Sequence, residues 1–196
     1  MTDKEYQELR NDILAWLSKR LKPKRITHTL GVEETAVALA RIWENDVYEA
    51  SLAALLHDNA KNLDTQFLYE ICQKEYPSFS LSLEYASVLH AFAGASIAAK
   101  RYPMLSEDII YAICYHTTAR PHMSLLEKII YAADFAEPGR ESIPGLEIIR
   151  ERLFIDLEAG IRQILQQTVS YVNLKKKKIH PLTLDALQYY ENQSKS

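Results

Sequence analysis

The chain has 196 residues, 47% of them hydrophobic, with a formal net charge of -3 and a pI near 6.1. These values allow one well-filled core and argue against a general nucleic-acid binder, which would carry a strongly basic surface. No apolar run approaches the roughly 20 residues of a membrane span, so a soluble, cytoplasmic protein with no membrane association is expected.

The opening stretch MTDKEYQELRNDILAWL is charged and amphipathic, unlike a secretory leader. RITHTLGVEETAVALARIW reads as the next helix and carries His28 one turn before Val32, among aliphatic inward positions. Asp46 followed by Glu49 reads as a capping-box start for the helix carrying SLAALLHDNAKNLD. In it Ala50, Ala53, Ala54 and His57 share one face, so the His57-Asp58 doublet points where small apolar residues point. Asp64 marks a further helix start. YPSFSLS is a loop. His90 then follows Leu83 and Ala86 at helical spacing. Ser106 caps a segment in which His116 follows Ile109 and Ile113, and Ser124 with Glu127 forms a second capping box ahead of LLEKIIYAADF, where Asp134 continues the stripe of Leu126 and Ile130. EPGRESIPG is the second clear loop, and Pro144 suits the first turn of another helix. With five glycines and no alternating strand pattern, the chain is expected to be all-α, a single bundle of about seven or eight helices.

The interruptions of these apolar faces carry the chemistry. A lone inward histidine is most often a satisfied core residue, but here five helices each aim an imidazole or carboxylate inward. Burying such groups without partners costs roughly several kcal/mol, and a divalent cation is the partner that several of them can share. Cys72 and Cys114 have no metal-type spacing and read as buried thiols of a reducing compartment. His122, after Pro121 in a loop, reads as a surface histidine.

The order His28, His57-Asp58, Asp134 resembles the HD-domain metallohydrolase superfamily. The blocks RITHTLGV, LLHDNAKN, YHTTARPHMSLLEKIIYAADFAEPGR and KKIHPLTLDAL are similar to its YqeK-type symmetrical diadenosine tetraphosphatases. Ala119 departs from the glycine expected after HTT, and Asn59 from a common aliphatic residue. The resemblance implies an HD-domain helical fold and a divalent metal held by His28, His57, Asp58 and Asp134, with Asp58 catalytic. It leans toward iron, although the donors suit manganese, cobalt, nickel or zinc equally. It implies a small dinucleotide substrate, two adenosines joined by four phosphates, cut in the middle to two ADP.

Arg25 and Lys61 stand three residues from a ligand, and Arg140 six residues beyond Asp134, so all three are expected to bind phosphate. Thr117 offers a hydroxyl beside His116. His90 and His116 keep two roles, ligands of a second metal or donors to phosphate. The four lysines ahead of His180 read alone as a solvated run. The family block suggests instead that residues 175–196 pack near the nucleotide, with Ile179 and His180 contacting it. Other HD proteins are phosphomonoesterases, phosphodiesterases or oxygenases, and a non-catalytic nucleotide sensor is the alternative outside enzymes. No GYP block follows the doublet, which weakens the cyclic-dinucleotide reading. Twelve tyrosines and the apolar face of the first helix leave room for a homodimer.

Overall fold

In the computed structural model, which describes residues 1–79, 81–140 and 143–193, the chain folds as helices joined by short turns. Ser80, Glu141, Ser142 and residues 194–196, parts of the two expected loops and of the C-terminal segment, lie outside the described residues. The helices are α1 (Asp3–Leu17), α2 (Pro23–Ile42), α3 (Val47–Leu56), α4 (Thr65–Glu75), α5 (Ala86–Arg101), α6 (Glu107–Tyr115), α7 (Leu125–Ala136), α8 (Leu146–Leu153), α9 (Leu157–Leu174) and α10 (Pro181–Gln193), with a 3₁₀ turn at Leu83–Tyr85. The described residues thus hold ten α-helices and no strand, more than the seven or eight expected, and three of the ten, α8, α9 and α10, follow the EPGR turn.

Local chemistry starts most of them. Asp46, Asp64 and Ser106 accept hydrogen bonds from backbone N–H groups of the first turns of α3, α4 and α6, and Ser124 with Glu127 forms the full reciprocal box of α7. Asp46 caps through its own carboxylate, to Tyr48 N and Glu49 N, without the return bond expected of Glu49. Pro144 does not occupy the first turn of α8; Gly145, at φ +80°, is the cap.

Helix α2 packs against α3 and α7, α6 against α5 and α7, and α3 against α6 and α7, so α3 lies at the centre. Every residue from Ala50 to Leu56 is buried. The sequence suggested one inward face, but α3 is apolar around its circumference, as a central helix must be. Ala50, Ala53, Ala54, Ala91, Ala95, Ala112, Ala132 and Ala133 are all buried and keep neighbouring helices close. A polar clasp ties the first three helices together. Arg10 donates twice to Glu33, at 2.7 and 2.8 Å, and Ser51 Oγ donates to Glu33 at 2.6 Å and lies 2.8 Å from the Tyr6 hydroxyl. Helices α8 and α9 pack against α7 and against each other, and α10 packs on α9.

Candidate metal and phosphate site

Asp58 is the point on which the site converges. It follows the end of α3, because His57 is the cap residue of that helix and Asp58 lies in the turn beyond it. The doublet therefore leaves the helix it was expected to sit within, which frees both side chains toward the neighbouring helices. The Asp58 carboxylate is buried, and its two oxygens face different sets of partners. Oδ2 lies 3.5 Å from His57 Nε2, 3.8 Å from His28 Nε2 and 2.7 Å from Arg25. Oδ1 lies 3.1 Å from His90 Nε2, 3.7 Å from His116 Nε2 and 3.6 Å from Lys61 Nζ. Asp134 closes the first side, with Oδ1 3.1 Å from His28 Nε2 and 4.0 Å from His57 Nε2.

Two triads of ligand atoms thus share one carboxylate: His28, His57 and Asp58, and Asp58, His90 and His116. The imidazoles succeed one another edge to face, at 5.4 Å from His28 to His57, 5.0 Å from His57 to His116 and 5.2 Å from His116 to His90. The residues expected from the sequence as ligands therefore meet, from α2, the end of α3, α5, the end of α6 and α7.

The donors are oriented from behind. His57 Nδ1 donates to Ala54 O at 2.5 Å and His116 Nδ1 to Ile113 O at 2.7 Å. A carbonyl can only accept, so each Nδ1 carries a proton and each Nε2 is the atom turned toward Asp58. His28 Nδ1 lies 3.1 Å from Glu137 Oε1, the carboxylate support typical of a metal-ligating histidine. The atoms so presented are left without partners: His28 Nε2, His57 Nε2, His116 Nε2 and Asp58 Oδ1 are buried with no hydrogen bond among the described residues. Orphaned lone pairs of this kind, on imidazole and carboxylate, fit a divalent transition metal.

Charge agrees with that fit. Burial opposes a proton on His57, yet Asp58 and Asp134 override it and raise its pKa. Burial likewise opposes ionisation of Asp58 and Asp134, and the surrounding imidazoles hold both well below the ordinary carboxylate range. Two carboxylates held ionised among these donors call for a shared cation. His90 goes the other way: burial lowers it to about 4, outweighing the nearby Asp58 carboxylate, so it stays neutral.

Glu137 and Gly31 were missed by the sequence reading. Glu137 is buried at the end of α7, one turn beyond Asp134, and accepts from Gly139 N at 2.6 Å. A Cβ at position 31 would stand 2.7 Å from Glu137 Oε2, so the glycine in α2, one turn after His28, makes room for it. The signal was the glutamate opening EPGR, read only for its arginine. Arg140 donates to Asp134 O at 3.1 and 2.6 Å and to Asp134 Oδ1 at 3.2 Å, half exposed beside the cluster. Lys61 Nζ lies 3.0 Å from His90 Nε2. Thr117 Oγ1 is buried without a partner among the described residues.

His180 is buried and rests on Tyr85 and Phe92, with ring centroids 4.9 and 6.1 Å away, while Lys178 pairs with Glu84 at 2.6 Å. The segment carrying Ile179 and His180 therefore returns to α5, the helix of His90. His122 is exposed, as expected, against the ring of Tyr189. The two departures from the family pattern have local causes. Asn59 donates to Leu56 O at 2.7 Å and Gly94 O at 3.0 Å, clasping the end of α3 to α5. Ala119 sits at φ +55°, where glycine would be unstrained.

Residues 25–139 match the HD domain family. The chain is 37% identical over 175 residues to the symmetrical bis(5'-nucleosyl)-tetraphosphatase of Halalkalibacterium halodurans, covering 89% of this chain and 93% of that one. It is also 37% identical over 175 residues to the enzyme of the same name from Staphylococcus aureus, covering 88% and 89%. The fold is similar to a crystal structure from Clostridium acetobutylicum, described as a predicted HD superfamily hydrolase involved in NAD metabolism, with a TM-score of 0.86, 38% identity, and 93% and 97% of the two chains covered. With His28, His57-Asp58 and Asp134 in HD order and its likeness running over nearly its whole length, the chain belongs to the HD-domain hydrolases, in the family of symmetrical bis(5'-nucleosyl)-tetraphosphatases.

Proposed function

We propose that the chain hydrolyses diadenosine tetraphosphate in the middle of its phosphate chain, one water and one dinucleotide giving two ADP. The observation that carries the reading is Asp58, a buried carboxylate between two sets of orphaned donors and flanked by Arg25 and Lys61. A phosphoanhydride needs charge neutralisation and a positioned water more than covalent help. His28, His57, Asp58 and Asp134 would hold a divalent metal, iron by family resemblance and manganese, cobalt, nickel or zinc by donor chemistry. Such an ion supplies Lewis-acid polarisation of a phosphoryl oxygen and lowers the pKa of a water.

The chain's own groups do the rest. Asp58 stays ionised and joins the two donor sets. Arg25 and Lys61 bring positive charge to either side of it, and Arg140 brings a planar guanidinium to the Asp134 edge, suited to paired phosphate oxygens. Thr117 offers its unpaired hydroxyl to a phosphate. The backbone near Ile179 and His180 contacts one adenosine, the role of the C-terminal segment 175–196 within the single domain. His90 and His116 take a second ion if the protein carries two metals per chain, and phosphate oxygens if it carries one. No helix among the described residues is long and apolar enough to cross a membrane. The two free buried cysteines fit the reducing cytoplasm.

The test is metal content and turnover together, on a panel holding diadenosine tetraphosphate, a nucleoside monophosphate, a cyclic dinucleotide and NAD, with a no-metal control. Asp58→Ala should lose both bound metal and turnover while keeping native helicity, because the bundle rests on its aliphatic core. Full hydrolysis with tightly bound metal in Asp58→Ala would remove the basis of the proposal. Wild-type binding without turnover would make the protein a sensor instead.

A further inference from the structure

A cavity of about 1090 Å³ lies between α7, α8 and α9 and is lined at one end by His116, Thr117, Asp134 and Arg140, residues of the metal and phosphate site. It continues away from that site along Phe135, Ile148, Gln163 and Tyr171, and shares no residue with the C-terminal segment at His180. From this geometry we infer that the cavity is the subsite of the second nucleoside of the substrate, an adenosine seated on the far side of the cut from the one held near His180. The inference rests on the hydrolase reading above.

Three observations support it. A symmetrical cut places the reacting phosphorus midway between two nucleosides, so a site with one nucleoside position is incomplete. The cavity begins at the cations of the site and is of the size, roughly 300–1,000 Å³, that takes a compact organic ligand. Its rim leaves large apolar groups in solvent: Ile148 is 62%, Tyr171 61% and Leu174 79% exposed. Lys175 Nζ lies over one face of the Tyr171 ring, 5.5 Å from its centroid, so this exposed aromatic carries a positive charge beside it, and a ring of this kind can stack on a base.

The wall also carries an unmet polar group. Gln163 Oε1 is buried with no hydrogen-bond partner among the described residues. A glutamine amide accepts from the exocyclic amine of adenine and donates to a ring nitrogen, whereas an apolar ligand would leave that oxygen unsatisfied. Gln167 is already engaged, its Nε2 donating to Pro144 O at 3.0 Å, and fixes the loop before α8 against α9.

The experiment compares diadenosine tetraphosphate with adenosine 5'-tetraphosphate, which lacks the second nucleoside and which the same cut, adding one water, would turn into ADP and pyrophosphate. Steady-state kinetics are measured on metal-loaded wild type, Tyr171→Ala and Gln163→Leu. Tyr171 is exposed and leucine approximates the shape of glutamine, so both variants should keep their helicity. Each variant should raise KM for the dinucleotide roughly tenfold and shift KM for the truncated substrate by less than about twofold, beyond the scatter of the assay. Equal shifts on both substrates, or none on either, overturn the subsite. A dimer that Tyr171→Ala converts to monomer without a change in KM overturns it too, by assigning the face to a second copy of the chain. Failure of wild type to cut either substrate removes the hydrolase reading and the subsite with it, whereas wild-type turnover with insensitive variants removes the subsite alone.

Discussion

In the proposed metal site, Asp58, Glu137 and Gly31 would serve as a ligand, a support and a space. The orphaned Nε2 of His28 is useful only if its ring is held, and Glu137 holds it through Nδ1. Gly31 enters because an added Cβ would meet Glu137 Oε2, a group pinned by Gly139 N. Gly31→Ala should therefore move two properties in opposite directions. Helix propensity favours alanine by about 1 kcal/mol, while displacement of a supporting carboxylate typically weakens metal binding by roughly 10–100-fold. Chelator competition beside a thermal melt reads both. Unchanged metal affinity in Gly31→Ala would contradict the support assigned to Glu137.

At the scale of elements, the site exists because five helices end or turn toward one carboxylate, and α5 contributes the group with the clearest acid response. His90 is lowered from 6.5 to about 4, with burial the main cause. The unfolded chain takes a proton there near pH 6.5 and the folded one resists it, so stability is lost as pH falls from about 6.5 toward 4. His57, with a raised pKa, takes its proton in the folded state before the unfolded one, so it opposes that slope only near the top of the window, about pH 6.5. The carboxylates Asp58 and Asp134, held low, cost stability only below their ordinary range near 4. In chelator, the melting temperature of wild type should fall across pH 6.5 to 4 and that of His90→Gln should fall less. A variant as acid-sensitive as wild type would rule out His90 as the source.

The elements also mark what could be read in advance. Asp64, Ser106 and the Ser124-Glu127 box gave helix starts because capping is local chemistry, and the inward histidines of α2, α5 and α6 showed as breaks in an apolar period. Gly145 in place of Pro144, the all-round burial of α3 and the division of the chain after EPGR depend on packing that no short window of sequence contains. Glu137 was hidden for the same reason, since its partners His28 and Gly31 lie more than 100 residues away.

Over the whole molecule, a chain of net charge -3 gathers its useful cations in one place. Arg25, Lys61 and Arg140 surround the buried carboxylates, and Lys175 through Lys178 follow α9 toward the segment at His180. On the proposed function these cations would attract a polyanion against the overall sign, and the cavity between α7, α8 and α9 opens from the same cluster. The account's central claim is that these cations and the metal ligands address the middle of a four-phosphate chain. The most direct measurement is chromatography of the products when metal-loaded protein cleaves diadenosine tetraphosphate in isotopically labelled water. Symmetrical attack yields ADP alone, with the label in ADP; AMP and ATP in equal amounts would contradict the account even with the metal ligands correctly identified.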